Sequence, residues 1–147
     1  MYGRRQSMEK AYVRTEIQMT PQAEADFLIQ EIRDTRSAYD NATVDKWRAQ
    51  HLGMIGLRMS ALVRAARKVL AAAHPTTQSD TDADQCTMLE ARTSTYLNSA
   101  SRLAATMEHE WPRDIQQEID AQADDLIRDA DAISAELAAI VARYPAP

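Results

Sequence analysis

A chain of 147 residues, 45% apolar but only 5% aromatic, fits one domain that buries roughly two-thirds of its unfolded surface. A net charge of −5 excludes a protein coated all over by nucleic acid. The single cysteine, Cys86, excludes an intramolecular disulfide and a cysteine zinc site, and fits a reducing compartment.

The N-terminal residues do not combine a charged start, an apolar centre and a small-residue cleavage site, so no secretory signal is read. The most apolar stretch, around residues 52–73, carries Arg58, Arg64, Arg67 and Lys68, each expensive in lipid, which excludes a membrane anchor there. A soluble, cytoplasmic protein is expected. With three glycines, five prolines and no alternating runs of β-branched or aromatic residues, strands lack their signal and helices are expected throughout.

Residues 1–19 carry Arg4, Arg5, Lys10 and Arg14 without strong periodicity and read as a basic N-terminal arm; residues 20–147 read as the helical domain. The first helix is predicted over 21–39, with Thr20 as its cap, Pro21 at its first position, and a seam of Ala25, Leu28, Ile32, Thr35 and Tyr39. "DNAT" at 40–43 supplies a turn and a new cap. The second helix is predicted over 44–73, with a seam of Leu52, Ile55, Met59, Leu62, Ala66, Val69 and Ala73. "HPTTQSDTD" reads as a polar connection before a third helix over 82–110, whose seam runs through Cys86, Leu89, Thr93, Tyr96, Ala100, Leu103 and Met107. Pro112 opens a fourth helix over 112–144, with a seam of Ile119, Ala123, Leu126, Ala130, Ile133, Leu137, Ile140 and Tyr144. Steps of 3 and 4 along each seam predict an all-α, elongated antiparallel bundle of four main helices with coiled-coil-like packing. Such seams also make dimers, so a second copy of the chain stays open as a partner.

Charge is unevenly shared. Residues 1–19 carry +2, residues 20–40 −3, residues 44–74 +5, residues 80–111 −4 and residues 112–144 −5. One basic helix among three acidic ones is accounted for inside the bundle, where charge sign selects neighbours, or by a binding face. On a continuous helix Lys46, Arg64 and Lys68 lie far from the seam, with Leu57 on the same outer side and Arg67 nearby. A leucine among cations suits an acidic protein partner; the bland account is a solvated face with one exposed leucine. On the fourth helix Asp120, Asp124 and Asp131 form an acidic flank, either a second, weaker binding face or simply solvated.

"AQHLGMIGLRMSALVRA" at 49–65 has spacing that resembles the helix-turn-helix of phage repressor and Cro proteins, with Ala49, Leu52, Gly53, Met54, Met59 and Leu62 in its small, turn and apolar places. That resemblance implies a break at Gly53 and a second helix, within 45–64, lying in the DNA major groove. Arg48 departs from the pattern where an apolar residue belongs, and the base-reading places hold Ile55, Gly56, Leu57, Ser60 and Ala61, poor donors to a base edge. The seam runs on through Gly53, which favours one continuous helix.

"DTDADQCTMLEA" at 80–91 resembles the start of an EF-hand calcium loop through Asp80, Asp82 and Asp84. Gln85 and Ala91 stand where the loop needs glycine and glutamate, so these acids are expected instead to favour the N-terminus of the third helix. None of His51, His74 or His109 has a glutamate three residues earlier, so no di-iron bundle pattern exists. No catalytic group, metal or cofactor is expected. The sequence favours a non-enzymatic module that docks on, and regulates or inhibits, a larger protein. A DNA-binding regulator comes second and a metal-dependent hydrolase using the carboxylates of the fourth helix third.

Overall fold

A computed structural model describes residues 19–146. The basic arm expected over 1–19 therefore lies, except for Met19, outside the described residues. Four helices follow in order: α1 (Pro21–Asn41), α2 (Asp45–Ala72), α3 (Thr77–Met107) and α4 (Arg113–Ala142). Each packs antiparallel on the next, as the seams predict, and α4 closes back on α1. At 1.5 Å per residue the three longer helices are each ~45 Å long.

Local chemistry sets the ends. Thr20 caps α1 by accepting a hydrogen bond from the Ala23 amide at 3.1 Å, with Pro21 in the first turn. The cap expected from "DNAT" is not made: Val44 holds that place in α2, without a side-chain bond. Helix α3 begins at Thr77, earlier than the expected 82. The reason is a capping box, in which Thr76 Oγ1 accepts from the Ser79 amide at 3.1 Å and Ser79 Oγ accepts from the Thr76 amide at 2.8 Å. "TQSDTD" is therefore helical, and the connection before it is short.

The core follows the seams. Leu52, Ile55, Met59, Leu62, Ala66 and Val69 of α2 are buried, as are Cys86, Leu89, Thr93, Tyr96, Ala100, Leu103 and Met107 of α3. On α4 Ile127 is buried where Leu126 was expected, and Leu126 is only partly so. Helix α4 touches α3, α2 and α1, so its apolar face is wide enough to take both residues. Helices α2 and α4 also meet across the bundle, while α1 and α3 make no contact among the described residues. The buried alanines of α4, Ala123 and Ala130, keep that cross-contact close.

The two glycines of α2 do different things. At Gly56 an added Cβ would overlap the Leu97 side chain and stand 2.9 Å from Tyr96 Cε1. The Tyr96 hydroxyl is buried there and donates to the Leu52 carbonyl at 2.7 Å, which pins the ring against the helix. At Gly53 nothing lies within 4 Å of an added Cβ, and no glycine has positive φ. The helix is unbroken, so the turn that the helix-turn-helix resemblance requires at Gly53 is not formed.

Opposite outcomes are expected from one substitution at the two places. Gly53→Ala should raise stability by ~0.5–1 kcal/mol through helix propensity alone. Gly56→Ala gains the same propensity but must displace Leu97 and Tyr96, for a net loss of ~1 kcal/mol or more. Urea midpoints of both variants check this, and equal shifts of the same sign would show that Gly56 is not a packing glycine.

Candidate functional site

The outer strip of α2 is narrow. Gln50, Leu57 and Arg64, seven residues apart, are exposed, and between them Gly53, Met54, Ser60 and Ala61 are partly covered, while Lys46, Trp47, Arg67 and Lys68 toward the two ends are exposed as well. Leu57 is 65% exposed, the most of any large apolar residue described. Arg64 bonds only to Ser60, at 3.3 Å on its own helix, and has no carboxylate within ion-pair distance among the described residues. Lys46 is exposed near the start of the helix, its ammonium 5.6 Å from the Trp47 ring centroid.

The other two predicted basic residues turn away from the strip. Arg67 pairs with Glu90 of α3, and Lys68 pairs with Glu24 of α1 at 3.4 Å. Leu57 and Arg64 therefore stand two turns apart on one face, while Arg67 and Lys68 bind opposite neighbours and Lys46 lies ~16 Å along the helix from Leu57.

Phe27 completes an apolar patch that the sequence reading passed over. It is 54% exposed on α1. The Lys68–Glu24 pair and the Arg58–Glu31 pair, at 3.1 Å, fix the register of α1 on α2 and set Phe27 between them, level with Ala61 and Arg64. The available signal was its place off the Ala25–Leu28–Ile32 seam, as the only phenylalanine in the chain. A second group of exposed apolar residues, Val44, Trp47, Trp111 and Ile115, marks the end where α2 and α4 begin. Gln116 donates to Asp45 at 3.0 Å and ties those two starts together.

The acidic flank of α4 is largely engaged inside the bundle. Asp120 accepts from Arg48 at 2.9 Å, and that guanidinium, then Gln116, holds its carboxyl below the usual carboxylate range. Asp131 accepts from Arg36 at 2.8 Å. Asp124 is exposed and has no cation within ion-pair distance among the described residues. Arg92 of α3 reaches both Asp129 at 3.3 Å and Glu136 at 2.6 Å, tying α3 to α4.

The acids that resemble a calcium loop lie within α3 instead. Asp82 is buried there and is the anchor of the opposite end of the bundle. It accepts from Arg143 Nη2 at 2.6 Å and Nε at 3.1 Å, from the Tyr144 hydroxyl at 2.6 Å and from Gln78 at 3.0 Å. Arg143 above all, then Tyr144 and Gln78, holds its carboxyl down at about 2. Burial and the bond to Asp82 push the Tyr144 hydroxyl up to about 12. No group of three or more His, Cys, Asp or Glu side chains among the described residues is placed to hold a metal ion. No described helix is long and apolar enough to cross a membrane.

The architecture is thus an all-α antiparallel four-helix bundle, with its basic helix packed against the other three. Compared with protein-family models, curated proteins and solved structures, the chain finds no match.

The Asp82 cluster carries a pH dependence whose sign is fixed. The folded carboxyl sits at about 2 against an ordinary 3.8, so its contribution is full above pH 3.8 and is lost as pH falls through 2. The shift corresponds to about 2 kcal/mol. Asp82→Asn should be less stable than the wild type at neutral pH by about that amount, with the gap narrowing as the solution is acidified. Paired urea titrations from neutral pH into that acid window measure it. A gap that does not change with pH would mean the carboxylate charge at Asp82 plays no part.

Proposed function

We propose that this chain is a non-enzymatic, cytoplasmic interaction module that docks on a larger protein and regulates it. What carries the reading is Leu57, uncovered at 65% on the outward strip of α2, two turns from an Arg64 that no carboxylate among the described residues neutralises. An apolar anchor two turns along one face from a guanidinium with no carboxylate partner among the described residues is the chemistry of a contact surface for an acidic, amphipathic helix, whose apolar side chains meet Leu57 and Phe27 and whose carboxylate meets Arg64. Burying both apolar side chains on the partner removes them from water, at roughly 25 cal/mol per Å². Arg67 and Lys68 then act as a rim, since each is already shared with a carboxylate of the bundle. Of the predicted acidic face, Asp124 has no cation partner among the described residues and is the member that supports a second contact.

Leu57→Asp and Arg64→Glu separate docking from folding. Both residues are exposed, so stability should change by no more than ~0.5 kcal/mol. Capture of a defined partner from native-host extract should fall ~30-fold or more with Leu57→Asp if Leu57 is a contact centre worth ~2 kcal/mol. Arg64→Glu should weaken capture too, and Asp124→Asn should leave it unchanged. Equal capture by wild type and Leu57→Asp would refute the docking face. Tight DNA binding that collapses with added salt would instead favour a nucleic-acid regulator.

A further inference from the structure

Helices α1 and α4 touch sparsely, and the seam between them opens into a hollow of about 230 Å³. Its floor is the buried Leu62 of α2, and its walls are Ile29 and Ile32 on α1 and Ala135 and Ala138 on α4. The Arg36–Asp131 pair, at 2.8 Å, crosses one end. At the other end the hollow joins a wider one of about 750 Å³, which reaches Gln22 and Tyr144.

Two polar groups of this mostly apolar hollow lack partners among the described residues. Ser134 Oγ is buried and makes no hydrogen bond, a state that is destabilising until a polar group completes it. Arg33 is exposed at the rim and has no carboxylate within ion-pair distance. The two stand at one height. Antiparallel packing sets Arg36 on Asp131, so Arg33, three residues before Arg36, is level with Ser134, three after Asp131. One turn further along, Ile29 is level with Ala138.

Charge and size decide the class of ligand. The hollow's side chains carry two guanidiniums and one carboxylate, and that carboxylate already accepts from Arg36. The excess is one positive charge, at Arg33, across from a hydroxyl able to donate. We propose that this hollow binds a small apolar monocarboxylate. One carboxylate oxygen accepts from Ser134 Oγ, and the other meets the Arg33 guanidinium, whose planar fork matches the group. The hydrocarbon tail runs over Leu62, between Ile29 and Ala138, toward the wider hollow. A dianion such as a phosphate monoester would exceed the charge of Arg33 and face Asp131 on one side and Asp26, in the wider hollow, on the other. An apolar cavity of ~150 Å³ holds benzene, and drug-sized sites start near ~300 Å³. At about 230 Å³ the hollow suits a medium-chain acid.

The test titrates octanoate, kept below micelle-forming concentrations, into the full chain and follows side-chain methyls by NMR. The expected result is a saturable shift at Ile29, Ile32, Leu62, Ala135 and Ala138. Affinity should fall about tenfold with Arg33→Gln and about fivefold with Ser134→Ala, and Leu57→Asp should bind as the wild type does. Methyl octanoate, which keeps the tail without the charge, should bind at least ~10-fold more weakly. Unchanged thermal midpoints show that both hollow variants keep the fold, and the ester comparison needs no variant. Equal affinity for the acid and its ester would overturn the proposal. So would the absence of a saturable shift, or shifts that rise linearly and spread over Phe27 and Leu57.

Discussion

Helix α2 carries the chain's basic excess and is in contact with every other helix, and the arrangement of the bundle depends on that one constraint. Its cations reach out in three directions. Arg48 meets Asp120 on α4, Arg58 and Lys68 meet Glu31 and Glu24 on α1, and Arg67 meets Glu90 on α3. Partly exposed pairs of this kind contribute at most ~1 kcal/mol each, so they do not hold the bundle together. Burial of Leu52, Ile55, Met59, Leu62 and Val69 against the other helices does that. What the charges supply is choice. Where two acidic helices meet, α3 on α4 and α1 on α4, single arginines, Arg92 and Arg36, bridge the carboxylates, and long amphipathic seams discriminate poorly among alternative arrangements without such a charge pattern.

The two ends of the bundle are held by different chemistry. At one end the Asp82 carboxylate takes hydrogen bonds from Arg143 and Tyr144, joining the start of α3 to the end of α4. A buried carboxylate so well satisfied is costly to leave alone and fixes how far α4 slides along α3. At the other end Asp45, Arg48, Gln116 and Asp120 share a partly exposed network. It stands next to the exposed Val44, Trp47, Trp111 and Ile115, so this end is polar within and apolar at its surface.

The seams were legible in the sequence because a period near 3.5 forces one stripe inward, and residues such as Leu89, Tyr96 and Leu103 had no other face to occupy. The start of α3 was not legible, because Thr76 and Ser79 look like loop residues until the capping box pairs them. The aspartates were expected to favour the start of the third helix, and Asp80 does stand in its first turn, but the burial of Asp82 was not legible because its partner Arg143 lies 61 residues away. Leu57 could be placed outward from phase alone, but that Arg67 and Lys68 are shared with carboxylates needed the register of neighbouring helices. Phe27 was hidden by its neighbour Leu28, which satisfies the seam.

That Leu57 faces outward follows from its neighbour in the chain. Gly56 is buried against Tyr96 and Leu97, and the Tyr96 hydroxyl holds the Leu52 carbonyl one turn earlier. These contacts set the rotation of α2 about its own axis, since only a residue without Cβ fits beneath the Tyr96 ring. Turning the helix by one residue, 100°, would bring Leu57 toward α3, but its side chain would then enter the space that even a single Cβ overfills. The same turn would pull Ile55 and Met59 from the core and break the ion pairs to α1 and α3 together. Exposure of Leu57 is therefore imposed by core packing one residue away, and the fold has no low-cost means of hiding it.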